Sequence, residues 1–132
     1  MISDWAPRRR LWFATFDIIV MTDLKFYTGQ KVLITGNTGF KGTWLTSMLL
    51  HLGAEVIGVA SFGGQLNPTF AATGLESRIK QYKVDIRDAT LIEQVIETER
   101  PRFIFHLAAQ ALTLRGIREP GLTFHTNVQG TV

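Results

Sequence analysis

The sequence predicts an α/β fold, a doubly wound parallel sheet whose strands alternate with crossover helices. Three observations predict it. Short apolar runs and helical patterns alternate from Lys31 to the end of the 132-residue chain. Gly36, Gly39 and Gly42 follow the first of these runs at the spacing G-x-x-G-x-x-G. Residues 103–107, Phe-Ile-Phe-His-Leu, show no polar alternation, as in a strand buried on both faces.

Each element has its own reason. Residues 31–35, Lys-Val-Leu-Ile-Thr, make the first strand through their β-branched and apolar side chains. Leu45, Met48, Leu49 and Leu52 recur at i, i+3, i+4 and i+7, which predicts a helix over residues 40–52 with those four on its buried face. Gly53 stands where a left-handed residue closes a helix. Residues 55–60 form the second strand, and residues 61–68, Ser-Phe-Gly-Gly-Gln-Leu-Asn-Pro, a turn-rich loop. The stretch from there to Ser77 carries no clear pattern. Residues 80–84 read as a weakly apolar third strand. Asp88 caps a helix with Leu91, Ile92, Val95 and Ile96 inward, and Glu99-Arg100-Pro101 ends it. Residues 103–107 are the fourth strand, and Pro120 opens a last helix through Phe124 and Val128.

Composition narrows the class. A hydrophobic fraction of 45% with 19% charged residues describes an ordinary globular chain. The formal net charge is only +3, and Arg8, Arg9 and Arg10 lie outside the patterned region, so no nucleic-acid partner is expected. Zero cysteines exclude a disulfide framework and a thiolate metal site, and suit a reducing cytoplasm, where the chain is expected. Arg8–Arg10 and the apolar residues 11–20 resemble a signal peptide's first two regions, but Asp17 interrupts the run and no small-residue cleavage site follows. That run is also too short to cross a bilayer, so no membrane association is expected. Residues 1–24 are read as a disordered or artefactual extension, with Met21 as the natural start.

Strand, glycine turn and helix are the first half of a dinucleotide-binding βαβ unit. Glycines let the backbone turn tightly and approach a pyrophosphate, and a helix N-terminus offers unpaired N–H groups and a favourable dipole. A P-loop is excluded, because Lys41-Gly42-Thr43 reverses the required order. Asp85 and Ile86 follow the third strand, where the carboxylate either receives an adenine amine or merely makes a turn. Leu107, Ala108, Ala109 and Gln110 follow the fourth, where small side chains admit a ligand or a closely packed helix. His106, closing a buried strand, reads more readily as structural than as a base. Ala60–Ser61 supplies no carboxylate to grip a ribose 2′-OH, so the residues themselves do not choose NAD over NADP.

Thr35-Gly36-x-x-Gly39-x-x-Gly42, Asp85-Ile86-Arg87-Asp88, His106-Leu-Ala-Ala-Gln110 and Asn127-Val-x-Gly-Thr131 together resemble the extended short-chain dehydrogenase/reductase superfamily. The stretch Gly36-Asn-Thr-Gly-Phe-Lys-Gly-Thr-Trp-Leu45, with Arg118-Glu-Pro120, most resembles the CDP-glucose 4,6-dehydratases, in which a lysine follows the Gly-Phe pair. The resemblance covers about residues 25–132 and implies a Rossmann-like NAD(P)-binding domain, truncated after about four strands. It implies NAD as cofactor and a nucleotide sugar as substrate of the intact enzyme. Such an enzyme oxidises the hexose at C4, eliminates water across C5 and C6, and returns the hydride to C6. By the same resemblance Gly36, Thr38, Gly39, Phe40, Lys41 and Gly42 surround the pyrophosphate. Asp85 and Ile86 hold adenine, residues 107–110 line the path to the nicotinamide, and Asn127 supports the active site.

The departures are equally informative. The superfamily's catalytic Tyr-x-x-x-Lys pair is not found: Tyr27 and Tyr82 are the only tyrosines, and neither has a lysine four residues on. The chain is therefore expected to be the cofactor half of a dehydratase, inactive alone. Residues 113–117 keep one arginine of the family's stretch, Arg115, beside Leu114. An uncovered sheet edge predicts self-association or a homo-oligomer. Two alternatives stay open: a piece of an NAD-dependent sugar epimerase or reductase, against which Lys41 and Trp44 speak, and a non-catalytic dinucleotide-binding or decayed gene product.

Overall fold

The computed structural model describes residues 24–61 and 67–132. The expected N-terminal extension therefore lies outside the described residues save for Leu24, as does most of the glycine-rich loop after residue 61. Four parallel strands, β1 (Lys31–Thr35), β2 (Glu55–Ala60), β3 (Lys80–Lys83) and β4 (Phe103–His106), stand in the order β3-β2-β1-β4. The chain thus steps outward from β1 to β3, then returns to the other side of β1. That reversal makes β1 and β4 the switch point of the sheet, and such sheets bind ligands at the carboxyl ends of the strands there. Register lines those ends up, since Thr35 pairs with both Val59 and His106, and Ala60 with Lys83.

Alternate residues of the buried strands feed two cores. Val32, Ile34 and Val56 pack with Leu49 and Ala54 on one face, beneath α1 (Phe40–His51). Leu33, Ile57 and Val59 pack with Val84 and Val95 on the other, beneath α3 (Ala89–Glu99). The central strands therefore read as unbroken apolar runs because both faces are covered. The helix punctuation also holds. Gly53 has φ +79° after α1, and the Asp88 carboxylate accepts from the Leu91 N–H at 3.1 Å to cap α3.

Three expectations need correction. On α1 Leu49 and Leu52 are buried and Leu45 packs against the core as expected, but Met48 is 45% exposed and Gly42, Thr43 and Thr46 also face inward. The helix lies so close to the sheet that small and β-branched side chains fill the contact. On α3, Leu91 points outward while Val95 is buried and Ile92 and Ile96 pack against the core. The fourth strand ends at His106 and is half-covered, with Phe103 and Phe105 inward and Ile104 50% exposed, because it forms an edge of the described sheet. Two short helices carried too little periodicity to read: α2 (Pro68–Thr73), capped by Asn67 and closed by left-handed Gly74, and α4 (Thr113–Arg118). The last helix, α5 (Pro120–Phe124), continues as a single π-turn over His125–Gln129.

The amino ends of the strands are tied by one buried carboxylate. Glu99, the last residue of α3, is 4% exposed and forms an ion pair with Lys80. It also accepts from the Tyr82 hydroxyl at 2.5 Å and faces the Lys31 ammonium at 3.6 Å. Hydrogen bonding from Lys80 first, then from Tyr82, holds the Glu99 carboxyl below its ordinary value, and the same bond raises the Tyr82 phenol. No helix among the described residues is long and apolar enough to cross a membrane.

Candidate functional site

The three motif glycines have three different physical reasons. Gly36 takes φ +71°, and a Cβ there would lie 2.7 Å from the Ala108 nitrogen and 2.9 Å from the Leu107 carbonyl carbon. The turn after β1 can touch the turn after β4 only because nothing projects between them. Gly42 packs the first turn of α1 onto that same loop, and a Cβ there would overlap the Gly36 carbonyl oxygen and lie 2.6 Å from Asn37 Cα. Gly39 is different. It has ordinary extended dihedrals, φ −72° and ψ 170°, and a Cβ there would meet only the Gly36 carbonyl oxygen, at 3.3 Å. The protein itself makes no strong demand for glycine at Gly39, so its bare face is left toward solvent.

Gly39 is also the N-cap of α1, and it supplies no side-chain cap. The first N–H groups of a helix lack intrahelical partners, so those of the first turn remain available to an anion. That first turn holds no acidic residue, and the Phe40 and Lys41 side chains stand exposed beside it. This arrangement fits a pyrophosphate: backbone donors, a positive helix end, and an exposed glycine with no side chain in the way.

The structure brings the other sequence-predicted stations to the same edge. Ile86, after β3, lies against the end of the π-turn, where a Cβ on Gly130 would come within 2.7 Å of its Cδ1. Asp85 makes the turn: its carboxylate accepts from the Arg87 N–H at 2.9 Å and pairs with the guanidinium at 2.6 Å. That guanidinium holds the Asp85 carboxyl below its ordinary value. Of the two readings of Asp85, the turn is present. Gln110 is held by Asn127, whose side chain bonds both its N–H and its carbonyl. His106 sits between Thr35, at 2.8 Å from Nδ1, and Thr131, at 3.3 Å from Nε2. Thr38 lies in the loop between Gly36 and Gly39, half-buried.

Three supporting residues were not singled out from the sequence. Asn37, inside the glycine motif, is fully buried and pairs its amide with that of Gln81 on β3, at 2.6 Å and 3.3 Å. Gly58 on β2 makes room, since a Cβ there would lie 2.6 Å from Gln81 Oε1. The amide pair anchors the glycine turn to the sheet. Only the lone glycine in an apolar strand hinted at so close an approach. Two surface hollows lie elsewhere: about 410 Å³ beside Leu112, Leu114, Arg115 and Arg118, and about 420 Å³ at the amino ends of the strands beside Lys31, Arg78 and Glu99.

Comparison with known proteins agrees with this geometry. The family model described as GDP-mannose 4,6 dehydratase matches residues 33–132. A CDP-glucose 4,6-dehydratase of Salmonella typhimurium is 38% identical over 112 residues, 85% of this chain and 31% of that relative. Among solved structures, the epimerase Mth375 of Methanothermobacter thermautotrophicus gives a TM-score of 0.75 at 29% identity, over 85% of this chain and 32% of that one. The Thermus thermophilus UDP-glucose 4-epimerase in complex with NAD gives 0.67 at 29% identity, over 76% and 30%. The chain spans about a third of the length of these relatives.

Proposed function

Because the chain belongs to the GDP-mannose 4,6 dehydratase family, we propose that it is the NAD-binding segment of a nucleotide-sugar 4,6-dehydratase whose substrate is CDP-glucose. The observation that carries this reading is the bare, outward-facing backbone at Gly39 on the N-terminus of α1, beside the switch point between β1 and β4. Bound NAD supplies the hydride acceptor and donor for such a dehydration. The residues of this chain hold and orient it. Gly36, Thr38, Gly39, Phe40, Lys41 and Gly42 surround the pyrophosphate, with main-chain N–H groups as donors. Ile86 packs on adenine while Asp85 keeps the turn that presents it. Leu107, Ala108, Ala109 and Gln110 form the wall leading to the nicotinamide, and Asn127 fixes that wall from behind.

The choice of dehydratase over epimerase rests on Lys41, Trp44 and the 38% identity to the Salmonella enzyme. We further propose that this chain binds NAD without turning over sugar. Tyr27 and Tyr82 have no lysine four residues on, and the Tyr82 hydroxyl is committed to Glu99 at the opposite end of the sheet. Absence of cysteine suits action in a reducing compartment such as the cytoplasm. Incubating the purified chain with NAD and CDP-glucose tests the proposal: bound NAD with no 4-keto product is expected, and steady product formation contradicts it.

A further inference from the structure

The hydrogen bonds around His106 run in one direction, and both ends of the run can be read independently. At the inner end, the Thr35 hydroxyl oxygen accepts from the Leu107 N–H at 3.2 Å and from the Ala108 N–H at 3.3 Å. The Leu107 N–H is shared with the Thr35 carbonyl at 3.1 Å, but both N–H groups approach the hydroxyl oxygen as donors, so its single hydrogen is directed to His106 Nδ1, 2.8 Å away. Nδ1 must then be bare. At the outer end, the Thr131 hydroxyl spends its hydrogen on the Asn127 carbonyl at 2.9 Å, an acceptor that can only receive. Its 3.3 Å contact with His106 Nε2 is therefore donated by the ring, and Nε2 must carry hydrogen. Both ends require the same tautomer.

We infer that His106 is a positioning residue, held as the Nε2–H tautomer, which locks the wall at residues 107–110 for the nicotinamide end of the cofactor. The inference rests on the dinucleotide reading above. The run begins at the Leu107 and Ala108 amides, passes through Thr35, His106 and Thr131, and ends at the backbone of Asn127. Asn127 in turn grips the Gln110 backbone with its side chain. Both ends of the wall thus join one closed circuit, with the imidazole as its middle link. The Nδ1–H tautomer breaks the run, because its Nδ1–H would meet an oxygen that two N–H groups already approach as donors.

Long-range proton–nitrogen NMR on the labelled chain reads the tautomer directly. A hydrogen on Nε2 and a bare Nδ1 are expected, and the Nδ1–H form overturns the inference. Binding supplies the second test, with ADP-ribose as a probe that lacks nicotinamide. His106→Leu is expected to weaken NAD at least about tenfold and ADP-ribose less than about twofold. His106→Asn, whose amide oxygen can accept from Thr35 in place of Nδ1, is expected to recover part of the loss. Equal weakening of both ligands overturns the positioning role. A wild-type chain that binds neither ligand overturns the dinucleotide reading itself, whatever the tautomer.

Discussion

The Asn127 side chain pairs with the backbone of Gln110 through two hydrogen bonds, accepting from its N–H at 2.8 Å and donating to its carbonyl at 3.0 Å. Asn127 lies in the π-turn and Gln110 ends the turn after β4, so this pair joins two segments 17 residues apart. Asn127→Ala removes both bonds, and a loss of about 1–2 kcal/mol is expected. Hydrogen exchange at the Gln110 amide should quicken accordingly, while protection in β1 and β2 stays unchanged. An unchanged Gln110 rate would count against the pairing.

Gly42 and Gly36 are required by the protein's own backbone. Gly42→Ala forces a methyl into the Gly36 carbonyl, and Gly36→Ala adds an unfavourable φ of +71° to an overlap with Ala108. Each should destabilise the chain by more than about 2 kcal/mol. Thermal unfolding followed by circular dichroism checks this, and a melting point within a degree of wild type would contradict it.

Thr46 presents the opposite case. It is fully buried on the inner face of α1, and its hydroxyl finds no hydrogen-bond partner. Thr46→Val keeps the branched shape and removes the orphaned oxygen, so a gain of about 1 kcal/mol is expected. Urea unfolding measures it, and a loss of stability would mean that the hydroxyl is satisfied.

The Glu99 clamp predicts the pH response of stability. Its carboxyl lies below the ordinary 4.5, chiefly through Lys80. A group depressed on folding stabilises at pH above its unfolded value, and that contribution fades as pH falls through the folded one. Asp85, depressed from 3.8 by Arg87, has the same sign. Stability should therefore drop steeply below about pH 4.5, and Glu99→Gln should flatten that decline while lowering stability at pH 7. An acid limb as steep in the variant as in wild type would assign it elsewhere.

The sequence was most legible where one local rule decides the outcome. β1 and β2 declared themselves through apolar runs, and Gly53 and Asp88 through the chemistry of helix ends. The four site stations were legible as a set because strand ends in a parallel sheet must share an edge. What stayed hidden depends on partners distant in sequence. Asn37 and Gln81 are 44 residues apart, and nothing local says that their amides meet over Gly58. Glu99 reads as a surface residue at a helix end until the sheet brings Lys31, Lys80 and Tyr82 to it. The short helix α4 lacked a full period of apolar positions, and β4 has an apolar sequence yet exposes Ile104.

Gly39 offers the most direct test of the central claim, because the fold tolerates a side chain there and a bound pyrophosphate does not. Titration calorimetry of NAD into the wild-type chain should give micromolar affinity. Gly39→Ala should melt within a few degrees of wild type yet bind NAD at least about tenfold more weakly. A correctly folded Gly39→Ala chain that takes up NAD as tightly as wild type would contradict the account.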